Sequence, residues 1–222
     1  VTSIDEFREM GYLPEALSNY MAFLGWSPKS ADREILSLEE ISEIFDLSEI
    51  NKAGAKFSWE KLNWINAQYI KNMESIKLME ILRKYWDDHG WEPPSQEWAN
   101  KLAILIRDSM TLLKDSIDQS KPFFLIPKIQ KEGQDFLENR ESKLSLKLIL
   151  NYLIEQNTIK LNKEKAKEII NEISKKHNIK KGILMKSLRV AFFGSLSGPD
   201  LIQSWELFAE SKTDRTRIER CL

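Results

Sequence analysis

The chain has 222 residues, which is enough for one large domain or for two to three small ones. Hydrophobic residues make up 42% and charged residues 30% of it, a balance that excludes an intrinsically disordered protein and a membrane protein. Its one cysteine, Cys221, excludes an internal disulfide and a cysteine-rich zinc site, and two distant histidines predict no metal site. The first residues lack a basic and apolar leader, so we expect no secretion signal.

The net charge of −1 conceals an uneven distribution. Residues 1–70 contain 6 lysines and arginines against 12 acidic residues, residues 71–135 contain 10 against 11, and residues 136–222 contain 17 against 11. The C-terminal third is therefore basic. A basic region is typical of proteins that bind nucleic acid, but lysine-rich helices also present ordinary solvated faces, and the charge alone leaves both explanations open.

Apolar residues recur at helical spacing along the chain, and no stretch alternates as a strand would, so the predicted fold class is all-α. Five helices are expected in the first half; they are marked by Pro14, by an S-x-x-E capping box at Ser37, by Ser58, by a restart after Asn72 and by Ser95. In the helix after Ser58 the predicted buried stripe consists of Leu62, Ile65, Tyr69 and Ile70. Trp64 of the same helix is also predicted to be a core residue.

The stretch from Ser116 to Gly133 contains Pro122 and Pro127, and it is predicted to be an irregular connection and a domain boundary. Shorter and more basic helices are expected after it. Their predicted ranges are 144–155, 163–177, 182–193, 199–210 and 214–221, with Pro199 starting the fourth and Asn162 and Thr213 as N-caps.

No pattern in the sequence predicts an active site. The chain lacks the nucleophile elbow of a hydrolase triad and the glycine-rich loops that bind nucleotide phosphates. Adjacent carboxylates such as Asp87 and Asp88 point apart on a helix, so they do not form an acid–base pair.

The most unusual segment runs from Lys181 to Trp205. On a helix, Lys186 and Arg189 lie on one face, which Phe193 continues, and the small residues of GSLSGPD then form a bend that a ligand can approach closely. Cations, an aromatic ring and exposed backbone groups suit unstacked, single-stranded bases. The alternative is a buried helix with cations at its rim, and core packing is the better explanation for Phe192 and Phe193 taken individually.

Two long patterns carry a resemblance to a known family. The first is G-x-L-P-E-A-L-x-N-Y-x-x-x-L-G-W at residues 11–26, followed by KFSWEKLNWINAQYIK at 56–71, and the second is L-R-x-A-x-x-G-S-L-x-x-P at 188–199. The first resembles the region just after the lysine signature loop of bacterial-type glutamyl-tRNA synthetases, which are class I enzymes. The second resembles their last domain. With weaker similarity between them, the resemblance covers essentially the whole chain.

The resemblance implies consecutive small helical domains of the helical-bundle or cage anticodon-binding type. These are the later part of a stem-contact region at 1–73 and two anticodon-binding domains at 74–135 and 136–222. The family's HIGH-like and lysine signature motifs are absent, so the expected molecule is a C-terminal portion that lacks the catalytic domain. We expect it to bind glutamate tRNA, with glutamine tRNA as a second candidate, and to be no enzyme on its own.

The parent enzyme ligates glutamate to tRNA with ATP. The resemblance therefore assigns ATP and magnesium to the catalytic domain of that enzyme, and it implies no cofactor and no metal for this portion. A monomer without a membrane partner is expected. The implied location is the cytoplasm of a bacterium, with an organelle as the alternative.

The family's residues carry over unevenly. The resemblance implies that Arg189 contacts the anticodon, with Lys186 one turn earlier, and that the pocket for an anticodon base is shaped by Ser195, Gly198, Pro199 and Leu201. On the side facing the tRNA stem, it assigns contacts to Lys61, Asn63 and Lys71, although surface solvation explains these three nearly as well.

One position departs from the family. In the preceding domain some members use an arginine to read the third anticodon base and so distinguish glutamate from glutamine tRNA. The matching position here is Ser109, and the nearest cation is Arg107. Because positions two apart on a helix point about 200° apart, substitution of one by the other is disfavoured, and the choice between the two tRNAs stays open.

Two other hypotheses remain at this point. One is a free-standing RNA-binding or adaptor protein without catalytic activity. The other is a protein-interaction scaffold whose basic helices bind acidic partners.

Overall fold

The structure is a computed structural model that describes residues 3–28, 33–51, 54, 56–156 and 160–222. Within these residues it contains thirteen α-helices and a short 3₁₀ turn at Leu47–Glu49, and no strand beyond an isolated antiparallel bridge between Trp26 and Ile50. The helices are α1 Ile4–Met10, α2 Pro14–Leu24, α3 Leu38–Ile44, α4 Trp59–Asn72, α5 Ser75–Asp88, α6 Gln96–Arg107, α7 Asp115–Phe124, α8 Lys131–Leu137, α9 Arg140–Glu155, α10 Lys163–His177, α11 Lys181–Phe193, α12 Leu201–Glu210 and α13 Asp214–Glu219. The all-α prediction is confirmed.

Local side-chain chemistry determines several helix starts. At the start of α3 the Ser37 hydroxyl accepts from the backbone N–H of Glu40 at 3.2 Å, and the Glu40 carboxylate accepts from the N–H of Ser37 at 2.8 Å. Ser58 caps α4 and Asn162 caps α10 in the same way, each accepting from the N–H three residues later. These caps satisfy N–H groups that the helix itself leaves free, so the predicted starts are confirmed.

The chain divides into two compact units. The first unit comprises the residues up to His89 together with Ile106–Gln119, and the second comprises Gly90–Leu105 together with Ser120–Leu222. No helix in the described part of the chain is long and apolar enough to cross a membrane.

Two buried asparagines connect separate segments of the first unit. Asn66 on α4 accepts from the N–H of Leu13 at 2.9 Å and donates to the carbonyl of Thr111 at 2.6 Å. Asn19 on α2 accepts from the N–H of Leu36 at 3.1 Å and donates to the carbonyl of Glu34 at 3.1 Å. Since an unsatisfied buried backbone group is costly, these amides stabilise the turns they bind.

The prediction that Trp64 is a core residue is wrong. Its side chain is 46% exposed, whereas Leu62, Ile65 and Ile70 are fully buried. A residue two positions after Leu62 points about 200° away from it on a helix, so Trp64 lies on the opposite face from that buried side chain.

The second unit has an aromatic core. Phe123 on α7 stacks on Phe208 on α12 with ring centroids 5.0 Å apart, and Phe193 on α11 packs against both rings. The indole N–H of Trp98 donates to the carbonyl of Leu207 at 2.8 Å. Buried aromatic rings of this size contribute a large share of core stability.

The prediction of an irregular connection from Ser116 to Gly133 is largely wrong. Helix α7 continues through Pro122 to Phe124, and α8 begins at Lys131. A proline inside a helix costs about 3 kcal/mol, and the adjacent Phe123, which is 3% exposed, gains the stacking that offsets it. Pro199 likewise does not start α12, because Asp200 caps that helix by accepting from the N–H of Gln203 at 2.9 Å.

Candidate functional site

The candidate site is the turn that follows α11, residues Gly194–Pro199, here called the 194–199 turn. Helix α11 ends because Gly194 adopts a left-handed conformation with φ of +72°, which glycine accommodates without strain. The two residues before it, Phe192 and Phe193, are buried, as expected for core residues. The turn is thereby fixed to the core of the second unit at its first residue.

Arg189 holds the far end of the turn. Its Nη1 group donates to the carbonyls of Gly198 at 3.0 Å and Pro199 at 2.9 Å. A guanidinium has five N–H donors, so three remain on Nε and Nη2, and these have no hydrogen-bond partner among the described residues. Arg189 can therefore brace the turn and donate to a ligand at the same time.

The interior of the turn is tightly packed. The Ser195 hydroxyl donates to the carbonyl of Ser197 at 2.9 Å. Gly198 lies over the ring of Phe193, where an added Cβ atom would be 2.9 Å from Cδ2, and its φ is +150°. No larger residue fits at Gly198 without displacing the ring or the turn.

The structure brings most of the predicted anticodon residues together. Arg189, Ser195, Gly198 and Pro199 all contribute to the 194–199 turn. Lys186 is exposed on the same helix, three residues before Arg189. Leu201, at the start of α12, is 1% exposed, so its side chain packs in the core.

Arg107 and Ser109 belong to the first unit. Arg107 is the last residue of α6, and its Nε lies 3.9 Å from the carboxylate of Asp108. Ser109 lies in the turn beyond that helix, and its hydroxyl donates to the carbonyl of Ile106 at 2.6 Å. The serine side chain thus satisfies a carbonyl in the last turn of α6.

The predicted stem-side residues have internal partners in two cases out of three. Lys61 forms an ion pair with Glu34 at 2.9 Å, and Asn63 accepts a hydrogen bond from the hydroxyl of Tyr12. Lys71 is exposed and has no such partner among the described residues.

Two arginines that the sequence analysis did not single out support the candidate site. Arg217 on α13 is 1% exposed; it donates to the carbonyl of Phe192 at 3.0 Å and lies 4.1 Å from the ring centroid of Phe208. Arg220 donates to the carbonyl of Ala191 at 3.0 Å. Both arginines thus supply hydrogen-bond donors to carbonyls in the last turn of α11, which the helix itself leaves without internal partners.

Burial, and to a lesser degree the charge of Arg220, lowers the pKa of Arg217 to about 10. The guanidinium nevertheless stays charged at neutral pH. In the sequence, the available signal was three arginines within residues 214–220, which does not by itself indicate burial.

Among the described residues, no group of three or more histidine, cysteine, aspartate or glutamate side chains could hold a metal ion.

Comparison with known families matches most of the chain. The model of the family described as "Anticodon binding domain" matches residues 77–222, which include the 194–199 turn. The chain belongs to the anticodon-binding-domain family. A second model, "tRNA synthetases class I (E and Q), catalytic domain", matches residues 1–64. The start of the chain is thus similar to part of a catalytic domain, and it precedes the anticodon-binding domain.

Individual relatives agree with this family. The chain is 96% identical over 222 residues to a glutamate–tRNA ligase of Prochlorococcus marinus strain AS9601, and 46% identical to that of strain NATL2A. It spans about half the length of these relatives, 47% in both cases. A crystal structure of a glutamate–tRNA ligase from Elizabethkingia meningosepticum, in complex with its amino acid, superposes with a TM-score of 0.89 at 30% identity, covering 97% of this chain and 42% of that one.

Proposed function

We propose that this chain binds tRNA and recognises the anticodon loop through the 194–199 turn, as the C-terminal portion of a glutamate–tRNA ligase. One observation carries the proposal. Arg189 braces the turn with one nitrogen and keeps three N–H donors available, within the region that matches the anticodon-binding-domain family. The relatives named glutamate–tRNA ligase support the assignment to glutamate tRNA.

The chemistry of the turn suits unstacked bases. A loop nucleotide that leaves the stack exposes its Watson–Crick edge, and proteins read such edges with arginine side chains and backbone groups. The free Nε and Nη2 groups of Arg189 can donate to two acceptors on one base. Lys186 is placed to neutralise a phosphate, while Ser195, Pro199 and Leu201 fix the shape of the turn.

The rest of the chain is assigned by the same proposal. Residues 1–73 contribute the stem-contact region, where Lys71 is an exposed cation without an internal partner among the described residues, and residues 74–135 and 136–222 form the two anticodon-binding domains. The chain does not form glutamyl-adenylate by itself; ATP and magnesium act in the remainder of the ligase. We assign the whole protein to the cytoplasm and this chain to a monomeric state.

The choice between glutamate and glutamine tRNA is assigned to the region around Ser109. A serine carries no charge, and the Ser109 hydroxyl already donates to the carbonyl of Ile106, so this position offers no cation to the third anticodon base. Arg107 is the nearest alternative. If Arg107→Ala leaves the ratio of glutamate to glutamine tRNA binding unchanged, Arg107 has no part in that choice.

Titration of the purified chain with glutamate tRNA at several salt concentrations tests the proposal. Binding is expected, with log affinity falling linearly with log salt because each phosphate contact releases counterions. Arg189→Ala should lose about 1–3 kcal/mol of binding free energy, the range for one base contact. Arg140→Ala, which removes an exposed arginine of α9, serves as the matched control. Equal affinity of wild type and Arg189→Ala would contradict the site assignment.

A further inference from the structure

The 194–199 turn is held on its other side by the segment Lys128–Gly133, here called the 128–133 segment. The backbone N–H of Gln130 donates to the carbonyl of Gly194 at 2.7 Å. A Cβ atom on Gly194 would lie 2.2 Å from the carbonyl oxygen of Lys128. The two backbones therefore touch directly, and only glycine permits this approach.

A second glycine is found on the opposite side of the same contact. Gly133 lies inside α8, where glycine destabilises a helix relative to alanine. A Cβ atom there would lie 3.0 Å from the carbonyl oxygen of Gly194 and 3.0 Å from Cγ1 of Val190. The absence of a side chain at Gly133 thus lets α8 pack against the end of α11.

A carboxylate of α8 reaches the middle of the turn. Glu132 is exposed, and its Oε1 accepts a hydrogen bond from the backbone N–H of Leu196 at 3.3 Å. A carboxylate repels RNA phosphates, so its presence beside this turn is not explained by phosphate binding. The observed contact gives it another role, which is to hold the Leu196 peptide in one orientation.

From these contacts we infer that α8 positions the 194–199 turn for base recognition, with Glu132 and Gly133 as positioning residues that need not touch the RNA. The inference rests on the proposed function. A turn that is already ordered loses less conformational entropy when a base binds, and it presents its backbone groups in a single arrangement. Removal of the α8 contacts should therefore weaken discrimination between bases more than it weakens phosphate binding.

Three variants of the purified chain separate these effects. Gly133→Ala inserts a methyl group into the contact, Glu132→Ala removes the acceptor for Leu196, and Glu132→Gln keeps an acceptor oxygen. Gly182→Ala is the matched control, since Gly182 is also a helical glycine and a Cβ atom there meets nothing within 4 Å. Thermal unfolding of each variant checks that it folds. If Gly133→Ala does not fold, the Glu132 variants still test the inference, because Glu132 is exposed and its substitution leaves the packing of α8 unchanged.

Two measurements report on positioning. The first is amide hydrogen exchange at Leu196, which should be faster by about tenfold in Gly133→Ala and Glu132→Ala. The second is the affinity for glutamate tRNA relative to the same tRNA with one anticodon base replaced. This preference should fall by about fivefold in the same two variants, with an unchanged salt dependence because no cation is removed. Glu132→Gln and Gly182→Ala should resemble the wild type in both measurements.

Two results would overturn the inference. In the first, exchange at Leu196 is unchanged in both Gly133→Ala and Glu132→Ala. In the second, exchange becomes faster while the preference for the correct anticodon stays the same, so that the contact is purely structural. If the wild type binds neither tRNA, the proposed function fails, and the role in recognition fails with it; that result is distinct because it appears before any variant is compared.

Discussion

In each unit one helix ends at a left-handed glycine whose carbonyl accepts a hydrogen bond from a distant segment, but the chain that follows the glycine differs between the two units. In the first unit, α1 ends at Gly11 with φ of +93°, and the carbonyl of Gly11 accepts from the N–H of Leu113 at 2.9 Å. In the second unit, α11 ends at Gly194 with φ of +72°, and its carbonyl accepts from Gln130. Each glycine thus fixes a helix end against a segment distant in sequence.

The chain that follows each glycine differs. After Gly11 it continues into the buried residues Tyr12 and Leu13 and then into α2. After Gly194 it forms the 194–199 turn, in which Ser197 and Gly198 are exposed. In the first unit the chain after the helix end is therefore buried, whereas in the second unit it presents backbone groups to solvent. Exposure of the following residues, more than the glycine itself, distinguishes a candidate site from a structural junction.

The largest effects are expected from substitution of these two glycines. Gly11→Ala and Gly194→Ala should each lower the free energy of unfolding by about 3 kcal/mol, because left-handed strain adds to a clash with a neighbouring backbone. Gly90→Ala should cost only about 1 kcal/mol, since it introduces the strain without the clash. Urea denaturation measures all three. Equal losses of unfolding free energy in all three variants would show that the clash with a neighbouring backbone contributes nothing.

The next largest effect should come from Arg217, for which the first unit has no counterpart among the described residues. Replacement by leucine leaves the buried carbonyl of Phe192 without its donor, so we expect a loss of about 2 kcal/mol. The exposed Arg140→Leu should change the free energy of unfolding by less than about 0.5 kcal/mol. A loss for Arg217→Leu as small as that of the control would mean that the carbonyl finds another partner.

A smaller effect concerns Asp214, at the start of α13. Burial raises the pKa of its carboxyl above the ordinary value of 3.8, although the backbone N–H of Arg215 opposes the shift. The folded protein therefore keeps this proton to a higher pH than the unfolded chain does, and the wild type loses stability as pH rises through this window.

Asp214→Asn removes that titration. Relative to the wild type, the variant should gain stability as pH rises from about 4, near the ordinary aspartate pKa, and urea midpoints at a series of pH values measure the difference. A constant difference between the two proteins across this range would show that Asp214 titrates alike in the folded and unfolded states.

Much of the fold could be predicted because its signals are local. Pro14 and Gly25 bound α2, the Ser37 capping box starts α3, and α10 has its predicted range, Lys163–His177. Each of these depends on residues within one or two helical turns, which the sequence shows directly.

Other features could not be predicted because they depend on contacts between residues that are distant in the sequence. Helix α7 survives Pro122 because Phe123 stacks on Phe208, a ring that is 85 positions later in the chain. Arg217 is buried because its partners, such as the carbonyl of Phe192, come from another helix. For the candidate site, the resemblance pointed to Arg189 and the turn, but the bracing role of Arg189 and the contacts of Glu132 and Gly133 required coordinates.

The most direct test of anticodon recognition by the 194–199 turn compares two tRNAs on two proteins. The affinities of the wild type and of Arg189→Ala are measured for glutamate tRNA and for the same tRNA with one anticodon base replaced. The wild type should prefer the unaltered anticodon by about tenfold or more, the range for one base contact, and Arg189→Ala should lose most of this preference. Equal affinity of the wild type for both tRNAs would contradict the claim that the second unit reads the anticodon.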